Sequence, residues 1–130
     1  NPSSKSWHFV IDFSLGQSGE STRVLLAVVP RLTLSNGKKI YLVQALSIVT
    51  ALPKGQTFST TVVKNVANAN GKVYTGTYST SDNLIFASNA AYLMDMTADG
   101  LLMVLVDLHS NRLALAKTLK DVMAAEQLEH

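Results

Sequence analysis

The side chains here with the means to do chemistry are few: His8, His109, the carboxylates near them, and three methionines further along. His8 and Asp12 fall on one face of a predicted strand, but four residues along a strand span about 13 Å, too far for a hydrogen bond. Asp107 and His109, two apart in another predicted strand, share a face at about 7 Å and would supply part of a metal site. A zinc ion takes three or four such ligands, and the chain has no cysteine and no His-Glu-x-x-His. Both pairs therefore read as polar residues at strand margins. Met94, Met96 and Met103 would share a face if residues 90–97 were a strand, and thioethers select Cu(I). Compliant core filling accounts for them better.

Nucleophilic chemistry has no better footing. A serine nucleophile turn needs Gly-x-Ser-x-Gly, and Gly16-Gln17-Ser18-Gly19-Glu20 misses that pattern. No glycine-rich phosphate cradle sits between a predicted strand and helix. The chain reads as a non-enzyme with no metal and no cofactor.

The elements that must hold these residues follow from periodicity and turn chemistry. Residues 1–6 carry no apolar pattern and form a lead-in, residues 7–127 make one β-rich domain, and Leu128-Glu129-His130 looks like the remnant of an expression tag. Trp7, Phe9, Ile11, Phe13 and Leu15 alternate with His8, Val10, Asp12 and Ser14, the period of a strand with one buried face. That aromatic face is either the packed centre of a sheet or the lining of a ligand cavity. Gly16 to Ser21 is a loop. Arg23 to Leu34 is a second strand, apolar on both faces from Val24 to Val29, and Pro30, lacking a backbone donor, marks an edge or a bulge. Asn36-Gly37 predicts a two-residue type I′ hairpin loop that sets Leu32 opposite Tyr41 and Val28 opposite Ala45. Residues 40–52 form the returning strand, with a helix as competitor because Tyr41, Leu42, Ala45, Leu46 and Val49 also fit a 3.6 period.

Pro53-Lys54-Gly55 breaks the chain. The β-branched run Thr57 to Val66 predicts a fourth strand. Asn70-Gly71 would turn it back through Val73 to Thr80, with Val63 facing Tyr78 and Ala67 facing Tyr74. Ser81-Asp82-Asn83 turns again into Leu84 to Ala87. Ser88 or Asn89 caps a short predicted helix Ala90–Ala98 ended by Gly100, the alternative being a strand that turns at Asp99-Gly100. The apolar run Leu101 to Leu108, interrupted only by Asp107, reads as a strand covered on both faces. Ser110 or Asn111 then caps a final helix, 111–127, burying Leu115, Leu119 and Val122 with Ala116 and Met123 alongside, and turning Lys117, Lys120 and Asp121 outward. The expected architecture is α+β, mainly β: an antiparallel sheet, sandwich or barrel of about six to eight strands with a C-terminal helix packed on it.

Composition bounds the partners. Eleven Lys and Arg against nine Asp and Glu leave +2, and only Lys38 and Lys39 sit together, so the clustered cations that nucleic-acid binding needs are missing. No apolar run approaches the ~18 residues of a membrane span, so no transmembrane segment is expected. Charged residues are 15% of the chain, against about 25% in average soluble proteins. Uncharged Ser, Thr and Asn take their place, and together with a start at Asn1 this favours export, to periplasm, envelope or extracellular space. Two strands apolar on both faces and a single helix to cover them leave an excess of apolar surface. The expected function is a non-enzymatic binding or assembly module of the cell envelope or a secretion apparatus. It would meet a protein partner or further copies of itself through an apolar sheet surface or edge strands, with Tyr41, Tyr74 and Tyr78 as contact residues if exposed. The alternative is a small carrier holding a hydrophobic molecule inside a β-barrel.

Overall fold

The computed structural model describes residues 9–14, 20–94 and 96–128. Its elements are β1 (Phe9–Ser14), β2 (Ser21–Thr33), β3 (Lys39–Ala51), α1 (Thr60–Asn70), β4 (Thr77–Ser81), β5 (Leu84–Tyr92) and α2 (Ala98–Leu128). The strands form one open antiparallel sheet in the order β1-β2-β3-β5-β4. Among the described residues five strands stand where six to eight were expected, and the sheet is open rather than a sandwich or barrel. Trp7, His8, Leu15, the lead-in 1–6, residues 16–19 of the loop, and Glu129 and His130 lie outside the described residues.

Alternation in β1 sets Ile11 and Phe13, half-buried, against exposed Asp12 and Ser14, while Phe9 at the strand's start is exposed. Ile11 and Phe13 pair with Val24 and Thr22, which are wholly buried, and pack against the same core. The break expected at Pro30 is present: the β2–β3 register slips between Pro30 and Leu32. The turn itself differs from expectation. Leu34 N–H donates to Lys38 O at 2.8 Å and Gly37 N–H to Leu34 O at 2.9 Å, with Gly37 at φ 86°. This is a three-residue loop, a tight turn followed by a left-handed glycine, rather than type I′. Leu32 therefore faces Ile40, not Tyr41, and beyond the bulge Val28 faces Val43, not Ala45. Residues 39–51 are strand throughout, with Val43, Ala45, Ser47 and Val49 buried at period two. The helical reading of that segment lapses because β3 is a central strand, paired on both sides.

Three expectations downstream are overturned. Thr57–Val66 is not a strand, nor Asn70-Gly71 a hairpin turn; the segment is α1. The Ser59 hydroxyl caps it by accepting from Val62 N at 3.2 Å, and Val62 and Val66, four apart, are its buried residues. β-branched side chains at helical spacing served the core better than their strand preference. The pairings of Val63 with Tyr78 and Ala67 with Tyr74 are accordingly absent. The helix Ala90–Ala98 is not formed either, because β3 extends far enough for β5 to run on to Tyr92, opposite Leu42. Finally, Leu101–Leu108 is the first third of α2, whose first turn holds Asp99 and Gly100. Thr97 caps it, its hydroxyl accepting from Gly100 N at 3.0 Å, while Ser110 and Asn111 lie mid-helix.

Both helices lie on one face of the sheet. Leu105, Leu108, Leu115 and Leu119 of α2, at the three- and four-residue spacing of a helical stripe, meet Val62 and Val66 of α1 and the inward residues Val24, Val43, Ala45, Ile85 and Ala87. The stripe expected for the C-terminal helix is present, with Lys117, Lys120 and Asp121 exposed. The Ser81-Asp82-Asn83 turn is also in place, joining β4 to β5 with Asp82 at φ 51°.

Candidate functional site

Strand register defines the opposite face. Residues directly across an antiparallel ladder point the same way, so Leu25, Leu46 and Ser88 form one outward row, Val29, Leu42 and Tyr92 a second, and Ile48 and Phe86 a third. No described helix packs on these rows. Leu25, Val29, Leu42, Leu46 and Phe86 are half-buried, Ile48 is 46% exposed and Tyr92 is 51% exposed. The charge on this face gathers at its β1–β2 margin, where Arg23 donates to Asp12 at 3.0 Å. That hydrogen bond holds the Asp12 carboxyl below the usual range and the guanidinium above its own. The described rows themselves, Leu25–Leu46–Ser88, Val29–Leu42–Tyr92 and Ile48–Phe86, carry no charge.

The two sheet edges differ. On β4, the Asn70 side chain donates to Tyr78 O at 3.0 Å and accepts from Tyr78 N at 2.6 Å, so one amide occupies the backbone pair an added strand would use. Helix α1 thereby blunts this edge. Asn70, read from sequence as a turn residue, is an edge clamp.

The residues singled out from sequence scatter. Tyr74 is fully exposed, Tyr41 is half-buried, and Tyr78 is buried; its hydroxyl donates to Asn111 O at 2.6 Å and burial raises its pKa. Tyr78 therefore fails the exposure on which its contact role depended. Asp107 and His109 share no face. Two residues apart on a helix point nearly opposite ways, and Asp107 accepts from the Thr75 hydroxyl at 2.8 Å while His109 is buried beside Thr22 at 2.6 Å. Among the described residues no group of three His, Cys, Asp or Glu side chains could hold a metal ion. Met96 packs on the core, whereas Met94 and Met103 are exposed. Ile11 and Phe13 pack on the core rather than line a cavity, and Phe9 is exposed.

Sequence reasoning missed Gln44, Leu46, Phe86 and Ser88, which line a cavity of about 500 Å³ on the outward face beside Gly76 and Thr77. The signal was present in β3, where Leu42, Leu46 and Ile48 are apolar at alternate positions to the buried Val43, Ala45 and Val49. No described helix is long and apolar enough to cross a membrane. Compared with known proteins, the chain matches no family model, no curated protein and no solved structure.

Proposed function

We propose that the chain is a non-enzymatic binding and assembly module of the exported or envelope class, which associates through the outward face of its sheet. The observation that carries this reading is the one-sided cover of the sheet: two helices on one face, and Leu25, Leu42, Leu46, Ile48 and Phe86 on the other. Magnitudes decide how much of that face a partner must take. Burying about 400 Å² of apolar surface returns roughly 10 kcal/mol, within the ~4–15 kcal/mol that association costs in lost freedom. A lasting contact must therefore approach the ~800 Å² per partner of an ordinary interface. The carrier reading loses its container, since the open sheet encloses no barrel interior among the described residues.

Sedimentation velocity from micromolar to near-millimolar concentration tests the reading, with Leu46→Lys as the probe of the face. The parent chain is expected to gain mass with concentration and the variant to remain a single chain. A parent chain that sediments as a monomer throughout, and whose solubility is untouched by Leu46→Lys, overturns it.

A further inference from the structure

At the end of β5 the sheet has a notch. β4 pairs with β5 only as far as Ser88, while β3 continues alongside β5 to Tyr92. Asn89 still meets the chain before β4, its Nδ2 donating to the Thr75 hydroxyl at 3.3 Å, while residues 90–92 have a paired strand on the β3 side only. Which of their backbone groups face the gap follows from the clamp on the opposite side of β4. Asn70 takes the N–H and C=O of Tyr78, so Thr77 and Ser79 direct theirs toward β5, and their partners Ser88 and Phe86 direct theirs toward β4. Continuing the alternation, Ala90 and Tyr92 point their backbone groups into the gap. Ala90 N–H is satisfied by the Asn89 side chain at 2.9 Å. Among the described residues nothing pairs with Ala90 C=O or Tyr92 N–H, and both residues are exposed.

The notch opens onto the cavity of about 500 Å³, whose lining carries no charged side chain. One wall is Gly76, at φ 84°, where an added Cβ would stand 2.5 Å from Ser88 O. The chain beside it is pinned by Thr75, whose carbonyl accepts from Asn111 Nδ2 at 2.9 Å and whose hydroxyl donates to Asp107. A vacant strand position therefore lies beside a preformed, uncharged recess of a size for one or two side chains.

We infer that this notch binds an extended, uncharged segment of a partner protein, added antiparallel to β5 in line with β4. Main-chain hydrogen bonds to Ala90 C=O and Tyr92 N–H hold the segment, Ala90 N–H staying with Asn89, and the side chain opposite Ala90, which shares the outward face with Gln44, enters the recess. This deepens the reading of the outward face as a protein-binding surface and rests on it.

The probe is a phage-displayed library of random dodecapeptides, panned on the full chain. An enriched peptide is then synthesised with and without N-methyl groups at alternate positions. Expected are uncharged alternating sequences and amide shifts at Gly76, Ser88, Ala90 and Tyr92 in ¹⁵N–¹H spectra. N-methylation of the peptide should weaken binding at least tenfold. Tyr92→Pro, which removes an N–H that β3 does not use, should do the same, while Tyr92→Phe keeps affinity. N-methylated peptide binding as well as its parent overturns strand addition without reference to any variant's folding. Shifts confined to Leu25, Leu42 and Leu46 overturn it while the protein-binding face stands. Concentration-dependent shifts at Ala90 and Tyr92 without peptide assign the notch to a second copy and overturn the partner segment. No enriched peptide together with no self-association overturns both readings.

Discussion

At the scale of single residues, the most constrained group is His109. The Thr22 hydroxyl oxygen accepts from Arg112 Nε at 2.8 Å and shares a hydrogen bond with His109 Nδ1 at 2.6 Å. Burial, with the Arg112 charge nearby, lowers the His109 pKa below 6.5, against a smaller raising effect of Glu20. The neutral ring is thus the folded form, and the unfolded chain takes up the proton first as pH falls. The associated stability is complete above the unfolded value near 6.5 and is lost as pH drops through the lowered folded value. Urea midpoints between pH 7.5 and pH 5 should fall in the parent and change less in His109→Gln. Thr22→Val should cost about 1–3 kcal/mol by stranding the Arg112 and His109 nitrogens, read as a lower urea midpoint at pH 7.

Among the elements, the join between α1 and β4 bears the most specific demands. Gly76 occupies a left-handed conformation with no room for a side chain against Ser88 O. Gly76→Ala should destabilise by more than ~1 kcal/mol and shift the amides of Thr77 and Ser88. Asn70→Ala should cost about 1–3 kcal/mol by unpairing Tyr78. It should also speed hydrogen exchange along β4 and promote aggregation, because the blunted edge becomes available to other chains. Unchanged exchange at Tyr78 would contradict the clamp.

For the whole molecule, one-sided cover separates two kinds of leucine. Leu115, wholly buried between α2 and the sheet, should cost about 2–5 kcal/mol on truncation to Ala. Leu46 on the outward face should accept Lys within about 1 kcal/mol while losing association. Chemical denaturation of the two variants side by side tests whether the sheet has one structural face and one binding face. Similar losses in both would mean that the outward face also holds the fold together.

Local rules carried the strands wherever one residue or one alternation settled the matter. The period-two run Phe9–Phe13, the bulge at Pro30, the turn at Asp82 and the stripe Leu115–Leu119–Val122 were legible because each depends on backbone chemistry or spacing within a few residues. The same rules failed at Thr57–Val66 and Leu101–Leu108. There the residue types admit both helix and strand, and the choice lay with what each segment packs against: Val62 and Val66 meet the core only at helical spacing, and Leu101–Leu108 extends a stripe begun at Leu119. Asn70 and Gly76 carried no signal of their roles, since their partners Tyr78 and Ser88 are chosen by topology. Sequence by itself determined an α+β chain with an antiparallel sheet and a C-terminal helix; the excess of apolar strand it implied counted Leu101–Leu108, which is helix, and a single covering helix where there are two. Only tertiary structure decided which sheet face the described helices leave uncovered and where β5 lacks a neighbouring strand, because both depend on strand order and length, which no local preference encodes.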